Sequence, residues 1–209
     1  GFRLNQTRGK FGPFDNQLFL GDYSLSLVMR ATTEQINGVW QGACYPFREG
    51  LATGIMNVEF SPKGQLMAGG FTTSRQWPVR GTAPFALQRI DWNGVTPFEI
   101  QEINIRKDGF RITFTQPVDP RTAAAVDSYR IVTYTHVYHG GYGSPEVDHT
   151  TPRVVKAVPT ADGRSVQLTL SQVVEDHIHD FDLVGIRSQE GRRLVHTKAY
   201  YTVNEIPKH

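Results

Sequence analysis

The scarcest residue in this 209-residue sequence is cysteine, since Cys44 is the only one. A single cysteine excludes an intrachain disulfide. It also excludes any C-x-x-C motif for a structural metal, a redox centre or haem attachment within these residues. The simplest interpretation of Cys44 is therefore a small hydrophobic side chain in a packed interior.

Long apolar runs and concentrations of charge are also missing. No segment approaches the roughly 20 consecutive apolar residues of a membrane-spanning helix, and the first residues lack the basic-then-apolar pattern of a signal peptide. The 22 Lys and Arg nearly balance the 20 Asp and Glu, and no window gathers the bases into a stripe. We therefore expect neither a membrane span nor a nucleic-acid partner.

Helical periodicity is scarce, whereas turn residues are abundant. The 20 Gly and 12 Pro separate short runs in which apolar and polar residues alternate, as in half-buried antiparallel strands. In the second half of the chain, the longest helix-like stretch covers only residues 122–126. This pattern predicts an all-β protein, and the length leaves room for one large core or two modest ones.

Turn residues cluster near residues 94–97, which predicts a domain boundary. In residues 1–94 the order of short strands and turns is that of one blade of a β-propeller, and Asn37-Gly38 predicts a type I′ hairpin. In residues 95–209 seven short strands at regular spacing predict an immunoglobulin-like β-sandwich. A second hairpin is expected at Asp108-Gly109, because glycine tolerates the positive φ that such tips need.

Five runs of the sequence resemble one protein family, and they occur in the same order. They are GKFGPF (9–14), LFLGDY (18–23), QGACYPFR (41–48), YGSPEVD (142–148) and AYYTVNEIP (199–207). These runs resemble the C-terminal region of the large secreted sorbosone/glucose dehydrogenase-like proteins of planctomycete-type bacteria, which often carry a c-type haem domain. In that family a quinoprotein-type propeller precedes a sandwich-like tail.

The resemblance implies a setting and leaves the activity of this chain open. It implies a C-terminal portion of a periplasmic or secreted sugar or polyol dehydrogenase-like protein, whose partners are the rest of the propeller or other subunits. Quinone or haem c would then belong to the parent protein, because no position here matches the family's catalytic His, its quinone-binding Arg residues or its haem motif. The alternative is a non-catalytic sandwich module that binds a partner protein or a glycan.

All seven histidines lie beyond residue 135, and three of them fall in one Gly-rich segment. His136, His139 and His149, with Glu146, offer imidazole and carboxylate ligands that could surround a divalent metal ion. The structural alternative is a polar-aromatic ladder of Tyr134, His136 and Tyr138 across strands, with glycines shaping a hairpin tip. We favour the ladder, because the spacing matches no specific metal motif.

A second candidate site is the loop that follows the blade-like strands. Arg75, Gln76 and Trp77 would line a propeller mouth, where an arginine fork and a stacking indole can hold a sugar or an anionic cofactor. Alternatively, Trp77 fills a seam between domains. Farther along the chain, strand alternation puts Asp180 and Asp182 on the face opposite His177 and His179, where we expect the two aspartates to meet solvent.

Overall fold

The protein is all-β and contains three antiparallel sheets, which confirms the predicted class. The computed structural model describes residues 1–72, 77–141 and 143–208. Its helical content is α1 (Pro120–Ala124), which begins after the N-cap Asp119, and a 3-10 turn at Val126–Ser128. Within the described ranges, no helix has the length and apolar character needed to span a membrane.

The strands follow one another through short turns and loops. In chain order they are β1 (Phe2–Leu4), β2 (Leu18–Asp22), β3 (Leu27–Ile36), β4 (Val39–Arg48), β5 (Asn57–Phe60), β6 (Leu66–Phe71), β7 (Phe85–Ile90), β8 (Ile100–Arg106), β9 (Gly109–Phe114), β10 (Arg130–His136), β11 (Glu146–Thr150), β12 (Val154–Pro159), β13 (Ser165–Leu170), β14 (His177–Asp182) and β15 (Lys198–Val203). The largest sheet has the order β1-β2-β3-β4-β15-β14-β10-β11, and the others are β12-β13-β9-β8 and β5-β6-β7.

The chain forms two compact units. The first unit contains Gly1–Thr32 and Cys44–Thr96, and the second contains Thr33–Ala43 and Pro97–His209. The turn residues predict a domain boundary at residues 94–97, which puts residues 33–43 in the first domain. In the structure the tip of the β3–β4 hairpin belongs to the second unit instead.

The first unit has an aromatic core. Phe19 of β2 lies 5.0 Å from Phe47 and 5.4 Å from Phe60, centroid to centroid, and both contacts are edge-to-face. Such geometry places the positive edge of one ring against the negative face of another. The strands predicted as one blade lie here in two sheets, with β2, β3 and β4 in one and β5, β6 and β7 in the other.

Arg30 of β3 is a buried cation in the first unit, with 1% of its surface exposed. Its guanidinium carbon lies 4.3 Å from the ring centroids of both Phe14 and Tyr45, and Nη1 donates a 2.9 Å hydrogen bond to Gln17 Oε1. Two π faces and an amide oxygen therefore replace part of the hydration that burial removes from the guanidinium.

The second unit is a sandwich-like arrangement of two four-stranded sets, β12-β13-β9-β8 and β15-β14-β10-β11. Phe110 of β9 is fully buried, and its ring centroid lies 5.0 Å from Phe181 of β14 and 5.2 Å from Tyr201 of β15. These contacts join the inner faces of the two sets, because alternate residues of each strand point the same way.

The two predicted hairpins form, but for different physical reasons. Asn37 and Gly38 have φ of 49° and 89°, so both central residues are left-handed, as a type I′ turn requires. Gly109 is not among the residues with positive φ. A Cβ there would collide with the carbonyl oxygen of Leu168 on the adjacent strand β13, so Gly109 serves close strand approach and not turn geometry.

The tip of the β3–β4 hairpin is bound by buried polar groups of the second unit. Glu34 Oε1 accepts hydrogen bonds from the backbone N–H of Ile105 and from the hydroxyl of Tyr201, each 2.7 Å long. Because Tyr201 has 0% of its surface exposed, its hydroxyl depends on protein partners.

The side-chain amide of Gln41 completes this cluster. Its Oε1 accepts from the backbone N–H groups of Asn204, at 2.9 Å, and Glu205, at 2.8 Å. Its Nε2 donates to the Tyr201 hydroxyl, at 3.0 Å, and to the Glu205 carbonyl, at 3.1 Å. We call Glu34, Gln41 and Tyr201 the hairpin-tip cluster; it fixes the direction in which the chain leaves β15.

We predict that Gln41→Ala lowers the free energy of unfolding by about 2–4 kcal/mol, because it leaves two backbone N–H groups without their acceptor and removes one of the two hydrogen bonds of the buried Tyr201 hydroxyl. Urea denaturation of the wild-type and variant chains measures this loss. The matched control is Gln35→Ala on the same hairpin, where an exposed amide donates to the Gly38 carbonyl; we expect it to change stability by less than about 0.5 kcal/mol. Equal effects of the two substitutions would contradict the role given to the cluster.

Candidate functional site

The outward side of strands β15, β14, β10 and β11 carries several of the polar side chains singled out in the sequence. Along each strand the inward residues are buried, as Ile131, Phe181 and Ala199 are, so their neighbours in sequence point outward. We call this surface the polar-aromatic face. Its residues are Trp40 of β4, Arg130, Tyr134 and His136 of β10, Glu146 and His149 of β11, Asp180 and Asp182 of β14, and Lys198 and Tyr200 of β15.

Trp40 belongs to this face because its neighbour points the other way. Gln41 is buried and bonds the inward Tyr201, and strand alternation therefore turns Trp40 outward beside β15. Its indole is 63% exposed. The Asn204 side chain donates to the Trp40 carbonyl at 3.1 Å, which fixes the backbone next to the end of β15.

A lysine between two aspartates forms the middle of the face. Asp180 pairs in register with Tyr200, and Asp182 pairs with Lys198. Lys198 Nζ lies 3.2 Å from Asp180 Oδ1 and 3.7 Å from Asp182 Oδ2. The aspartates do lie opposite His179, as predicted, but they are only 22% and 18% exposed, since the lysine lies against them.

Tyr134 lies among charged and aromatic neighbours. Its ring centroid is 5.6 Å from that of His136 and 5.4 Å from that of His149. Burial, followed by the charges of Glu146 and Asp180 and by Tyr200, raises the pKa of the Tyr134 phenol above its ordinary value. The phenol therefore stays protonated at neutral pH and can donate a hydrogen bond to a ligand.

Three of the four predicted metal ligands lie together. His136 pairs in register with Glu146, and His149 Nε2 lies 3.7 Å from Glu146 Oε2. In contrast, His139 Nδ1 accepts a 3.0 Å hydrogen bond from the Gly141 N–H in the loop. Among the residues that the structure describes, no three His, Cys, Asp or Glu side chains form a group suited to a metal ion, and the metal interpretation stays a prediction.

The predicted ladder is present in altered form. Tyr134 and His136 are in contact, and the third ring is His149 of β11. Tyr138, the expected third member, lies fully exposed beyond the end of β10. Of the loop candidates, Arg75 and Gln76 lie outside the described residues, and Trp77 is 45% exposed in the first unit.

Sequence reasoning missed the pairing of Glu99 with His196. The two side chains meet at 2.6 Å between Oε1 and Nδ1, with the carboxylate almost fully buried. The backbone N–H of His196 also donates to Glu99 Oε2 at 3.4 Å. The residues are 97 positions apart, so no local spacing signals their contact.

His179 is a buried base on the inner face of β14, 5.2 Å from the Phe110 ring. Its Nε2 accepts a 3.4 Å hydrogen bond from the Val174 N–H, so the neutral ring carries its proton on Nδ1. Among described residues, Nδ1 has no hydrogen-bond partner. Burial, with a smaller contribution from the charge of His177, lowers the pKa of His179 to about 4.

We predict that His179 makes the protein acid-sensitive. Its folded pKa of about 4 lies below the ordinary value of 6.5, so protons bind the unfolded chain more readily. The stability that neutral His179 contributes is fully present above pH 6.5. It falls by about 3 kcal/mol as the pH drops through 6.5 towards 4. Urea titrations between these pH values measure the loss.

The variant His179→Phe should flatten this pH dependence, because it removes the titrating ring and keeps an aromatic side chain in the core. His149→Gln, at a half-exposed position on β11, is the control and should retain the wild-type slope. A wild-type slope in His179→Phe would show that other groups cause the acid sensitivity.

Comparison with known proteins does not place this chain in a family. No family model and no curated protein matches it. Among solved structures, the crystal structure of the N-terminal part of the bacterial S-layer protein SbsC aligns with 17% identity and a TM-score of 0.39. That alignment covers 51% of this chain and 24% of the other.

Proposed function

We propose that this chain is a non-catalytic all-β portion of a periplasmic or secreted protein similar to sugar and polyol dehydrogenases. In this proposal the chain contributes surfaces for docking, and the chemistry belongs to the rest of the parent protein. The order of the five sequence runs supports the family. The observation that carries docking is an exposed apolar strip on the first unit.

The proposal includes a blade-like first unit and an immunoglobulin-like second unit. Two antiparallel meanders, β2-β3-β4 and β5-β6-β7, support the first, because propeller blades are antiparallel sheets of this kind. The second is supported by strand order. We letter the strands β8, β9, β10, β12, β13, β14 and β15 as A to G, and β11 as C′. The strand orders of the two sets are then D-E-B-A and G-F-C-C′, which is the arrangement of immunoglobulin-like sandwiches.

The apolar strip consists of Met56, Phe71, Phe85 and Leu87. Phe85 pairs in register with Phe71, and Met56 donates its N–H to the carbonyl of Gly69, the partner of Leu87. Phe85 is 76% and Leu87 is 71% exposed. Contiguous exposed apolar side chains of this kind mark contact surfaces more often than lone ones do.

The strip borders a sheet edge that is open among the described residues, since β7 ends the order β5-β6-β7. The N–H of Thr72 bonds the carbonyl of Pro84, and antiparallel bonding alternates, so Ala86 and Gln88 face β6. The backbone groups of Phe85 and Leu87 therefore point to the open edge. We propose that a β-segment of the same parent protein pairs there and covers the strip.

Quinone and haem c enter this proposal only as groups of the parent. Covalent haem attachment needs two cysteines and a histidine in one short motif, and Cys44 is the only cysteine here. The residues of this chain do not fit that group, so any haem c would be attached elsewhere. The isolated chain is accordingly expected to show no dye-linked oxidation of sugars.

We predict that Leu87→Asp has little effect on the 209-residue chain but destabilises the full-length gene product. In the chain alone the side chain is 71% exposed, and such substitutions change stability by about 0.5 kcal/mol or less. If a partner strand covered this position, burying the aspartate carboxylate would lower the free energy of unfolding by about 2 kcal/mol or more. Thermal and urea unfolding of both forms measure the difference.

The control is Val155→Asp, at an apolar position of β12 that is 60% exposed. It replaces a comparable residue on an edge strand of the second unit and should affect both forms equally little. Equal effects of Leu87→Asp in the two forms would argue against docking at the strip. A full-length product that shows neither haem nor quinone absorption would argue against the dehydrogenase setting.

The second candidate is a module whose sandwich-like unit binds a partner protein or a glycan. It is favoured by the polar-aromatic face, where Tyr134 and Tyr200 lie beside carboxylates and the Trp40 ring is exposed. Glycan binding by a full-length protein that lacks haem and quinone absorption would support this candidate over the first.

A further inference from the structure

We propose that the polar-aromatic face binds an extended neutral oligosaccharide. This inference deepens the glycan-binding candidate, on which it rests, by assigning its site and ligand class. Three properties of the face favour such a ligand: the positions of its aromatic rings, the hydrogen-bonding groups between them, and the balance of its charges.

The aromatic rings stand on three different strands of one sheet. Trp40 is on β4, Tyr200 is on the adjacent β15, and Tyr134 is on β10, two strands farther. Neighbouring strands are about 4.8 Å apart. Tyr134 pairs with Ile178 and Tyr200 with Asp180, which sets the two tyrosines two residues apart along the strands. Trp40 lies beside Asn204, past the end of β15, so the three rings form separate platforms spread over one face.

Aromatic platforms that stand apart on one face suit a chain of pyranose rings better than a single small ligand. Each sugar presents a face of C–H groups that packs on an aromatic ring, and an extended glycan repeats that face along its length. Trp40 is 63% and Tyr200 37% exposed, so both rings can be approached from solvent. Aromatic rings with one polar end suit surfaces that are partly apolar and partly wet.

Hydrogen-bonding groups fill the space between the rings. Asp180 lies in register with Tyr200 and is close enough to the Tyr134 phenol to raise its pKa. Lys198 holds the Asp180 carboxylate at 3.2 Å, so an acceptor and a donor are already fixed in place. Sugar hydroxyls both donate and accept, and preorganised groups of both kinds recognise them at low entropic cost.

The charges of the face select against acidic glycans. Asp180, Asp182 and Glu146 supply three carboxylates against the two fixed cations Arg130 and Lys198, and Lys198 already contacts both aspartates. A uronate or sulfate group would meet this excess of negative charge. We therefore assign the site to neutral sugars.

Isothermal titration calorimetry of the 209-residue chain at pH 7 tests the site. The probes are cellohexaose, xylohexaose and maltohexaose, with polygalacturonate as the acidic comparison. We expect at least one neutral hexasaccharide to bind and polygalacturonate to bind at least tenfold more weakly. Absence of binding to all three neutral probes at millimolar concentration, or preference for polygalacturonate, would overturn the proposal.

Substitutions then locate the binding. Trp40→Ala and Tyr200→Ala should each weaken binding about tenfold through loss of ring packing. Asp180→Asn, which keeps the shape of the side chain, should weaken it several-fold. Phe85→Ala removes an exposed aromatic residue of the apolar strip and should leave binding unchanged.

Circular dichroism and melting curves establish that each variant is folded, and a variant that unfolds is replaced by Trp40→Leu or Tyr200→Leu. Binding that persists in the face variants, or is lost in Phe85→Ala, would show that the sugar binds elsewhere. Failure of this test leaves docking at the strip unaffected, because the Leu87→Asp comparison measures stability and uses no sugar.

Discussion

The organisation of the second unit depends on the buried hydrogen bonds of the hairpin-tip cluster. The amide of Gln41 satisfies two backbone donors after β15, one backbone carbonyl and the hydroxyl of Tyr201. A buried hydroxyl at the centre of an apolar core would otherwise be costly. The strand β4, which carries Gln41, also covers the edge of β15. Without β4 that edge would be open for pairing with another chain.

Covering that edge also widens the outer surface of the same sheet. Because β4 follows β15 in the strand order, Trp40 extends a surface whose other residues come from four strands of the second unit. The alternation that turns Gln41 inward turns Trp40 outward. Two consecutive residues therefore have different roles: Gln41 anchors the hairpin tip, and Trp40 enlarges the polar-aromatic face.

Local pattern was sufficient for the fold class and for most strands, because period-two alternation and turn chemistry act over a few residues. It failed for β11, whose residues Glu146–Thr150 are mostly exposed and polar and carry no alternating signal. It also failed for the hairpin tip and for Glu99 with His196, since these contacts join residues far apart in sequence. Alternation did place Asp180 opposite His179, but the intervening Lys198 was not predictable from either strand alone.

The two exposed aromatic surfaces differ in what surrounds their rings, and this difference is why we propose different ligands for them. Phe71, Phe85 and Leu87 of the apolar strip offer no polar side-chain atoms, so burying them gains most from a ligand that excludes water altogether. A protein strand does this and also satisfies the open edge of β7. On the polar-aromatic face, Tyr200 lies beside the fixed carboxylate of Asp180, which must remain solvated or find donors. A hydroxyl-rich ligand supplies those donors, whereas an apolar protein surface would leave the carboxylate without them.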